Sequence, residues 1–552
     1  PSIRGYRAVR LRGRFFHGAA PDSTRAERVK AMERIYSVDL STGHVEQREY
    51  DIRREGLYGR GLALKLLADA TPPGTDRYAP ENALVFVPGL FAGCRAPSAG
   101  RMTILTKGSS SFVQVCNVTG NMPQKLGSLN VCALVVKGRD DDGNAVLHIG
   151  SGGAELLHMH ELGGLYTDGV ISVLKGRFGR EAAIVGTGMA GDMRLPLSTF
   201  FCTYPDGEPE YNCPRSGFGD IPGSKGLRAV VVTGGGYFSR ECGAPGEFAR
   251  AGKELASIIV RNEVCGSALP SQGSKALLTL LGEGGTLERR RKRRTLDVSS
   301  SGGIPTGRKK NYCCAPMCVV GCLNRHGADG GKCYDAPDQS ELEAALKSCF
   351  AIDDGPFVSE LQRRLRSLCL VLPEFVTAAR SYFAATGLEP SRSGLLALVD
   401  EIERGSAVGR LVGSRTEGIA AAFPRNEALR SLTDSPAIAD ESHFKVKMAL
   451  EYKNLPDVDD TELMYCQIFV LENLGLCMFT AFALVNSMEA VELLARLFRC
   501  KTGLHCVTGA DLIAHAADCI DREREYAVAN GAQAPRINVP AFTRVLYRYF
   551  SR

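Results

Sequence analysis

Cys313, Cys314, Cys318 and Cys322 crowd one short stretch, and Cys477 stands far downstream in Glu472-Asn-Leu-Gly-Leu-Cys477. An iron–sulfur cubane needs one terminal sulfur on each iron, so a compact loop often supplies three and a remote segment the fourth. The spacing Cys314-x3-Cys318-x3-Cys322 lets one loop reach three corners, with Cys477 closing the last. Electron transfer is therefore the first chemistry suggested. Spacing alone leaves two other readings open. Zinc also accepts four thiolates, although its knuckles usually carry Cys-x2-Cys pairs on both sides. A free cysteine is also commonly a small buried hydrophobe. A disulfide framework fits poorly, because the 19 cysteines are scattered through 552 residues.

A chain of this length should hold two to four domains. Its 44% hydrophobic and 23% charged content is ordinary for a globular protein with a large core. No run approaches the apolar length of a membrane span; Leu474 to Val485, the longest candidate, reads as a buried core helix. A net charge of +6 does not argue for nucleic acid. The block Arg289-Arg-Arg-Lys-Arg-Arg294 reads first as a solvated loop, with docking of an acidic partner or phosphate as the alternative. Before the first acid, Asp22, the chain carries Arg4, Arg7, Arg10, Arg12 and Arg14. Such arginine-rich, acid-poor starts mark organelle transit segments. The expectation is the matrix side of a mitochondrion, with the cytoplasm as the alternative.

The elements that must position the cysteines change character along the chain. Residues 1–32 form a basic extension. Over 33–235 short β-rich runs alternate with glycine-rich turns: Ala83–Pro88, Met102–Thr106, Val131–Lys137, Ala183–Gly186 and Ala229–Thr233. Gly59-Arg-Gly61 opens an amphipathic helix through Leu67. Over 236–552 the periodicity becomes helical, as in Glu247–Val264, Gln339–Phe350, Val358–Ala385 and Leu395–Glu403. The fold class is α+β, with lobes meeting at a central site. Gly186-Thr-Gly-Met-Ala-Gly191 has dinucleotide-loop spacing, but Pro196 stops the helix that must follow, so that reading is rejected. Several loops pairing glycine with Arg or Lys suit a large anionic cofactor held by backbone amides and guanidinium forks.

A series of phrases, in order, resembles the aldehyde ferredoxin oxidoreductases. They are Arg34-Ile-Tyr-Ser-Val-Asp-Leu-Ser-Thr-Gly43, Gly59-Arg-Gly-Leu62, Ala99-Gly-Arg-Met-Thr-Ile-Leu-Thr-Lys107, Asn117-Val-Thr-Gly120 and the stretch Arg215 to Ala229. Gly303-Ile-Pro-Thr306, the cysteine loop, Leu346 to Asp354 and Leu474-Gly-Leu-Cys477 follow. The resemblance covers most of residues 33–480. It implies a β-rich first domain forming a base for two pterins, with largely helical domains above it. It implies a tungsten or molybdenum bis-pyranopterin, a bridging Mg²⁺ and one [4Fe-4S] cluster held by Cys314, Cys318, Cys322 and Cys477. Arg101 and Asn117 would contact pterin phosphates and Mg²⁺, Arg215 the second pterin, and Glu472 the pterin amines. Aldehyde would be oxidised to carboxylate, with single electrons leaving to ferredoxin or another electron-transfer protein.

The departures from the family are specific. Its loop is Cys-x2-Cys-x3-Cys, and Ala315 stands where its first cysteine is expected. Its first pterin-binding Asp motif falls on Leu368–Pro373, which carries no carboxylate. Of a pair of active-site glutamates only Glu341 survives, opposite Gln339, and it is the candidate catalytic residue. After Phe423 the chain passes through Pro424–Ser442 directly to the helix before Cys477, and the segment bearing the family's catalytic His is missing. His443, among charged neighbours, reads as a helix-start or exposed residue. Two functions follow: an oxidoreductase with a shortened site, or an inactive homologue serving as a structural or electron-relay subunit of a larger, possibly mitochondrial respiratory, complex. Neither a nucleophile elbow nor a Walker loop is found.

Overall fold

Alternating apolar residues build the central layers. The structure, a computed structural model, describes residues 32–108, 112–205, 210–214, 217–240, 242–274, 276–277, 311–328, 331–335, 337–429, 460–532, 546 and 549–550. Six strands, β1 (Glu33–Asp39), β2 (His44–Tyr50), β3 (Leu84–Pro88), β4 (Met102–Lys107), β5 (Val113–Val118) and β6 (Val131–Lys137), form one sheet in the order β2-β1-β6-β3-β4-β5. β1 and β6 run parallel, and the other neighbours pair antiparallel. A second six-stranded sheet has the order β11-β10-β9-β12-β7-β8. Its strands are β7 (Ala145–Gly150), β8 (Gly153–His158), β9 (Ala183–Thr187), β10 (Phe200–Thr203), β11 (Tyr211–Asn212) and β12 (Leu227–Val232).

Successive side chains on a strand point to opposite faces, and both faces of the first sheet are buried. Tyr36, Phe86, Ile104 and Leu134 meet Leu147, Val185, Phe200 and Val230 of the second sheet in one core. Their neighbours Ile35, Val85, Leu105 and Ala133 belong to another core, beneath helices. Those helices are α1 (Gly59–Ala70), α2 (Pro245–Arg261) and, further on, Asp460–Leu474, Met488–Thr502 and Gly509–Ala529. The outer face of the second sheet, with Val146, Ile184 and Val231, is covered by the helix Thr167–Phe178. A separate helical body over 337–429 packs around Leu346, Leu361, Phe375 and Val399 and takes in Leu195 and Leu197. The α+β expectation, β-rich first and helical after, holds. A third, small sheet of β13 (Asn311–Tyr312), β14 (Leu323–Ala328) and β15 (Gly331–Asp335) carries the cysteine loop.

Two helix readings need correction. Val358–Ala385 is not one helix but two, Gly355–Ser367 and Leu372–Thr386. Cys369 between them takes a left-handed φ of 63°, and its carbonyl accepts from Thr199 N–H at 2.9 Å. Docking to that edge interrupts the helical period, and Pro373 restarts it, since proline suits a first helical turn. Leu474–Val485 is likewise buried but not a continuous helix. The helix Asp460–Leu474 stops at Gly475, whose φ of +83° is a left-handed end conformation. A short turn of helix then resumes at Met478–Thr480 and Ala481–Leu484. Residues 1–31, the block 289–294, Arg215 and His443 lie outside the described residues.

Candidate redox centre

The cysteine loop is the tip of a hairpin. Tyr312 pairs with Leu323 across β13 and β14, so Cys313 through Cys322 are closed off by one antiparallel rung. The remote cysteine arrives on the segment after the helix Asp460–Leu474. A third segment, the connection Gly89–Arg101 between β3 and β4, joins these two. Leu90 and Phe91 N–H donate to Asn473 and Leu474 carbonyls at 3.0 and 3.1 Å, and Arg101 N–H donates to Gly475 O at 3.0 Å. Gly475 and Gly89 cross here, and a Cβ on Gly475 would stand 2.9 Å from the Gly89 Cα. Close backbone approach and positive φ both require glycine at 475.

Ser98 holds the cysteine segments together. Its N–H donates to Met317 O at 2.8 Å, its carbonyl accepts from Cys477 N–H at 2.9 Å, and its Oγ accepts from Val319 N–H at 3.2 Å. It adopts a left-handed φ of 56° to do so, a conformation that costs a non-glycine residue roughly 1–2 kcal/mol. With the segments pinned, Cys314, Cys322 and Cys477 are buried and Cys318 is partly so. Three of these four sulfurs accept a hydrogen bond. Arg101 donates to Cys477 Sγ at 3.4 Å, Thr119 Oγ1 to Cys314 Sγ at 3.5 Å, and Gly321 N–H to Cys318 Sγ at 3.4 Å. Cys313 lies against Cys318, its thiol 3.7 Å from the Cys318 carbonyl and hydrogen-bonded to the Cys318 side chain. Cys314 is the member of the pair whose sulfur acts on Arg101. Ala315, at the family's cysteine position, packs with Cys314, Tyr204 and Leu323.

The electrostatics hold the protons on Cys314 and Cys322 and the charge on Arg101. Burial opposes the Arg101 charge, but the Cys477 and Cys314 sulfurs more than offset this and its pKa is raised. Cys314 is pushed up first by its hydrogen bond with Cys318 and then by burial. Cys322 is pushed up by burial first, then by the Cys314, Cys318 and Cys477 sulfurs. Sulfurs that oppose one another's ionisation are relieved by metal. Among the described residues no group of three His, Cys, Asp or Glu side chains is placed to hold a metal ion. Cys314, Cys318, Cys322 and Cys477 are nonetheless brought within electrostatic reach of one another, and a cubane would ask for one thiolate per iron.

The residues expected to hold pterin are arranged differently. Glu472 is buried with both oxygens engaged: Oε1 accepts from Asn117 Nδ2 at 2.7 Å and Oε2 from Arg60 at 3.1 Å. Asn117 Oδ1 in turn accepts from Thr103 Oγ1 at 3.1 Å. Arg60 also grips Glu523 through two hydrogen bonds of 2.8 and 2.7 Å and lies over the Phe469 ring. Burial raises the Glu523 pKa, against the pull of Arg60. Asn117 and Glu472 thus turn their polar ends toward the protein, and Arg101 faces sulfur. Two cavities of about 740 and 470 Å³ are lined by Asn121, Lys175, Arg180 and Tyr204 and by Tyr166, Arg363 and Arg364. Glu472 is tied into a network with Asn117, Arg60 and Glu523. Glu341 sits half-buried on the helix Pro337–Phe350, which packs against Leu372–Thr386, and takes no part in the contacts just described.

Sequence reasoning brought Arg101, Asn117, Glu472 and the thiols to one place but missed Arg60, Ser98, Thr119 and Glu523. Arg60 left a signal, a cation between two glycines at the start of an apolar helix. Ser98 acts largely through backbone geometry and left none, and Thr119 acts through a hydroxyl too common to single out.

The chain is similar to several known proteins. Residues 35–234 match the aldehyde ferredoxin oxidoreductase N-terminal domain. A tungsten-containing aldehyde ferredoxin oxidoreductase of Thermococcus kodakarensis is 28% identical over 256 residues, 46% of this chain and 41% of that protein. The Pyrococcus furiosus protein of the same description is also 28% identical over the same shares. The matched stretch thus spans less than half the length of these curated relatives. Among solved structures, the active site complex BamBC of benzoyl coenzyme A reductase, bound to 1,5-dienoyl-CoA, has a chain that superposes with a TM-score of 0.69. Identity there is 16%, with 94% of this chain and 93% of that one covered, which shows the shared fold alone. Residues 35–234 thus carry the aldehyde ferredoxin oxidoreductase N-terminal domain, and the chain is similar to that family's curated members over less than half its length.

Proposed function

We propose that this protein is an aldehyde oxidoreductase-like redox protein whose working part is a single-electron iron–sulfur centre on Cys314, Cys318, Cys322 and Cys477. The observation that carries the reading is the set of hydrogen bonds aimed at three of the four sulfurs. A cluster bound there would take up and return one electron at a time. The chain's own contribution is to bury the sulfurs, fix them through Ser98 and place the Arg101 charge beside Cys477. Hydrogen bonds and positive charge near the sulfurs favour the more negative, reduced state. The partner we infer is ferredoxin or another electron-transfer protein, within a larger assembly. A mitochondrial setting remains part of this proposal.

The second reading is the complete enzyme, oxidising aldehyde to carboxylate with tungsten or molybdenum, and it is favoured by the description of the curated relatives as tungsten-containing. Metal and acid-labile sulfide analysis of the purified native protein separates the two. About four Fe per chain without W or Mo supports the relay; equimolar W or Mo with aldehyde-dependent reduction of a dye supports the enzyme. Arg101→Gln should leave the iron in place and move the midpoint potential to a more negative value. Absence of iron, with the Cys314→Ser and Cys477→Ser proteins indistinguishable from the parent, would defeat both.

A further inference from the structure

Two further sulfurs stand side by side outside the redox centre. Cys94 lies in the connection Gly89–Arg101 and Cys242 just before α2, and their Sγ atoms are 3.6 Å apart. Both flanks are held by backbone hydrogen bonds, Arg240 N–H to Gly93 O at 3.1 Å and Ala244 N–H to Cys500 O at 3.0 Å. The surroundings are cationic. Arg240 is fixed by the Leu90 and Ala92 carbonyls at 3.1 and 3.0 Å and by an ion pair with Glu33, and Lys501 stands 3.9 Å from the same carboxylate. Two cations share one anion, which leaves positive charge for a thiolate. Cys94 is fully buried, whereas Cys242 is partly exposed and is followed by exposed Gly243. The hydrogen bond between the two thiols, with Lys501 and Arg240 nearby, favours the thiolate on Cys94 and holds the proton on Cys242, so the Cys94 sulfur is the base that faces that proton. A second close pair, Cys213 and Cys369 at 4.0 Å, is buried on both sides and so offers an internal contrast.

We propose that Cys94 and Cys242 form a reversible dithiol–disulfide pair, a modification site separate from the iron–sulfur centre, that reacts with low-molecular-weight disulfides of the glutathione class. Cys242, the accessible member, passes its proton to the Cys94 thiolate and attacks one sulfur of the oxidant. A Cys242 mixed disulfide forms and one glutathione thiolate leaves. Cys94 then gives its proton to that thiolate and attacks the Cys242 sulfur, expelling the second glutathione. Two protein sulfurs lose two electrons, and one oxidised glutathione becomes two reduced ones. Closing the pair from 3.6 Å to a bond of about 2 Å requires only a small approach. The bridge would tie the segment bearing Ser98 and Arg101 to the start of α2.

The test is peptide mapping of the native full-length protein under non-reducing conditions, after glutathione disulfide and alkylation of the remaining thiols. The expected result is a linked Cys94–Cys242 peptide pair that dithiothreitol releases, with Cys213 and Cys369 still alkylated. In the Cys94→Ser protein the Cys242–glutathione adduct should accumulate, roughly tenfold above the parent, because the resolving sulfur is gone. Cys94 and Cys242 both recovered alkylated in the treated parent would overturn the proposal. So would equal linking of Cys213 to Cys369, since that would mean proximity alone decides.

Discussion

Replacing Arg60 with Met should be among the most damaging single changes outside the cysteines, and its cost should depend on pH. The guanidinium is buried, gives two hydrogen bonds to Glu523 and one to Glu472, and rests 4.9 Å from the Phe469 ring centre. Met preserves most of the stem and removes the charge. Breaking a buried ion pair by deleting one partner costs about 3–5 kcal/mol, and here two carboxylates lose their cation. Their escape is to take up protons. For Glu523, ordinarily near 4.5, staying protonated at neutral pH costs roughly 3 kcal/mol, at about 1.4 kcal/mol per pH unit. At pH 5 that cost nearly vanishes. The sign follows from linkage: a carboxyl whose folded pKa is raised contributes stability below its unfolded pKa and loses it as pH rises through the folded pKa. Arg60→Met should therefore lose about 4 kcal/mol at pH 7 and roughly 2–3 kcal/mol less at pH 5. Hydrogen exchange of α1 against pH is the assay, because it reads the core around Arg60 without assuming two-state unfolding of the whole chain. Adding Glu523→Gln should recover about half the loss. A penalty below about 1 kcal/mol at pH 7, or one that does not change with pH, would refute the argument.

Two other changes probe the same core. His515 is buried, stacks on Tyr58 at 4.7 Å, and burial holds its pKa down to about 4. A depressed base contributes stability above its unfolded value, and that stability is lost as pH falls from about 6.5 toward 4. His515→Gln should remove an acid-side dependence of about 3 kcal/mol, seen as a flatter stability profile between pH 7 and 4. Gly475 and Gly503 both end helices with positive φ, +83° and +77°, but only Gly475 meets another backbone. Gly475→Ala should cost about 2–4 kcal/mol and lower iron retention, whereas Gly503→Ala should cost about 1–2 kcal/mol with iron unchanged. Equal effects in thermal unfolding and iron analysis would count against the crossing at Gly89.

The inner strands β3, β4 and β6 were legible because both their faces are buried. Val131–Lys137 and Leu84–Pro88 read as unbroken apolar runs, and the structure places them there. The centre's sulfurs were legible because thiolate chemistry depends on residue type. What the sequence concealed was tertiary in origin. Cys369 breaks a helical period because the edge at Thr199 captures its carbonyl. The resemblance implies a pterin contact for Glu472, whereas its ion-pair partner Arg60 lies 412 positions earlier and could not be seen from the sequence. A carboxylate announces that it needs a cation but not which one. Ser98 works mainly through backbone groups, which every residue possesses, so nothing in its identity distinguishes it.

The Ser98 clasp also has a consequence for how the molecule is made. Arg101 and Cys477 are 376 positions apart, and Thr119 and Cys314 are 195 apart. Contacts of such sequence separation are closed late, after loop entropy has been overcome by more local structure. During synthesis at the ribosome the hairpin carrying Cys314, Cys318 and Cys322 emerges well before Cys477 exists. A nascent chain therefore displays three of its thiols without the fourth and without the backbone that seats them. A cluster on these thiols would be delivered at the end of maturation, once the C-terminal helices have docked, and a chain arrested short of residue 477 should be unable to retain one.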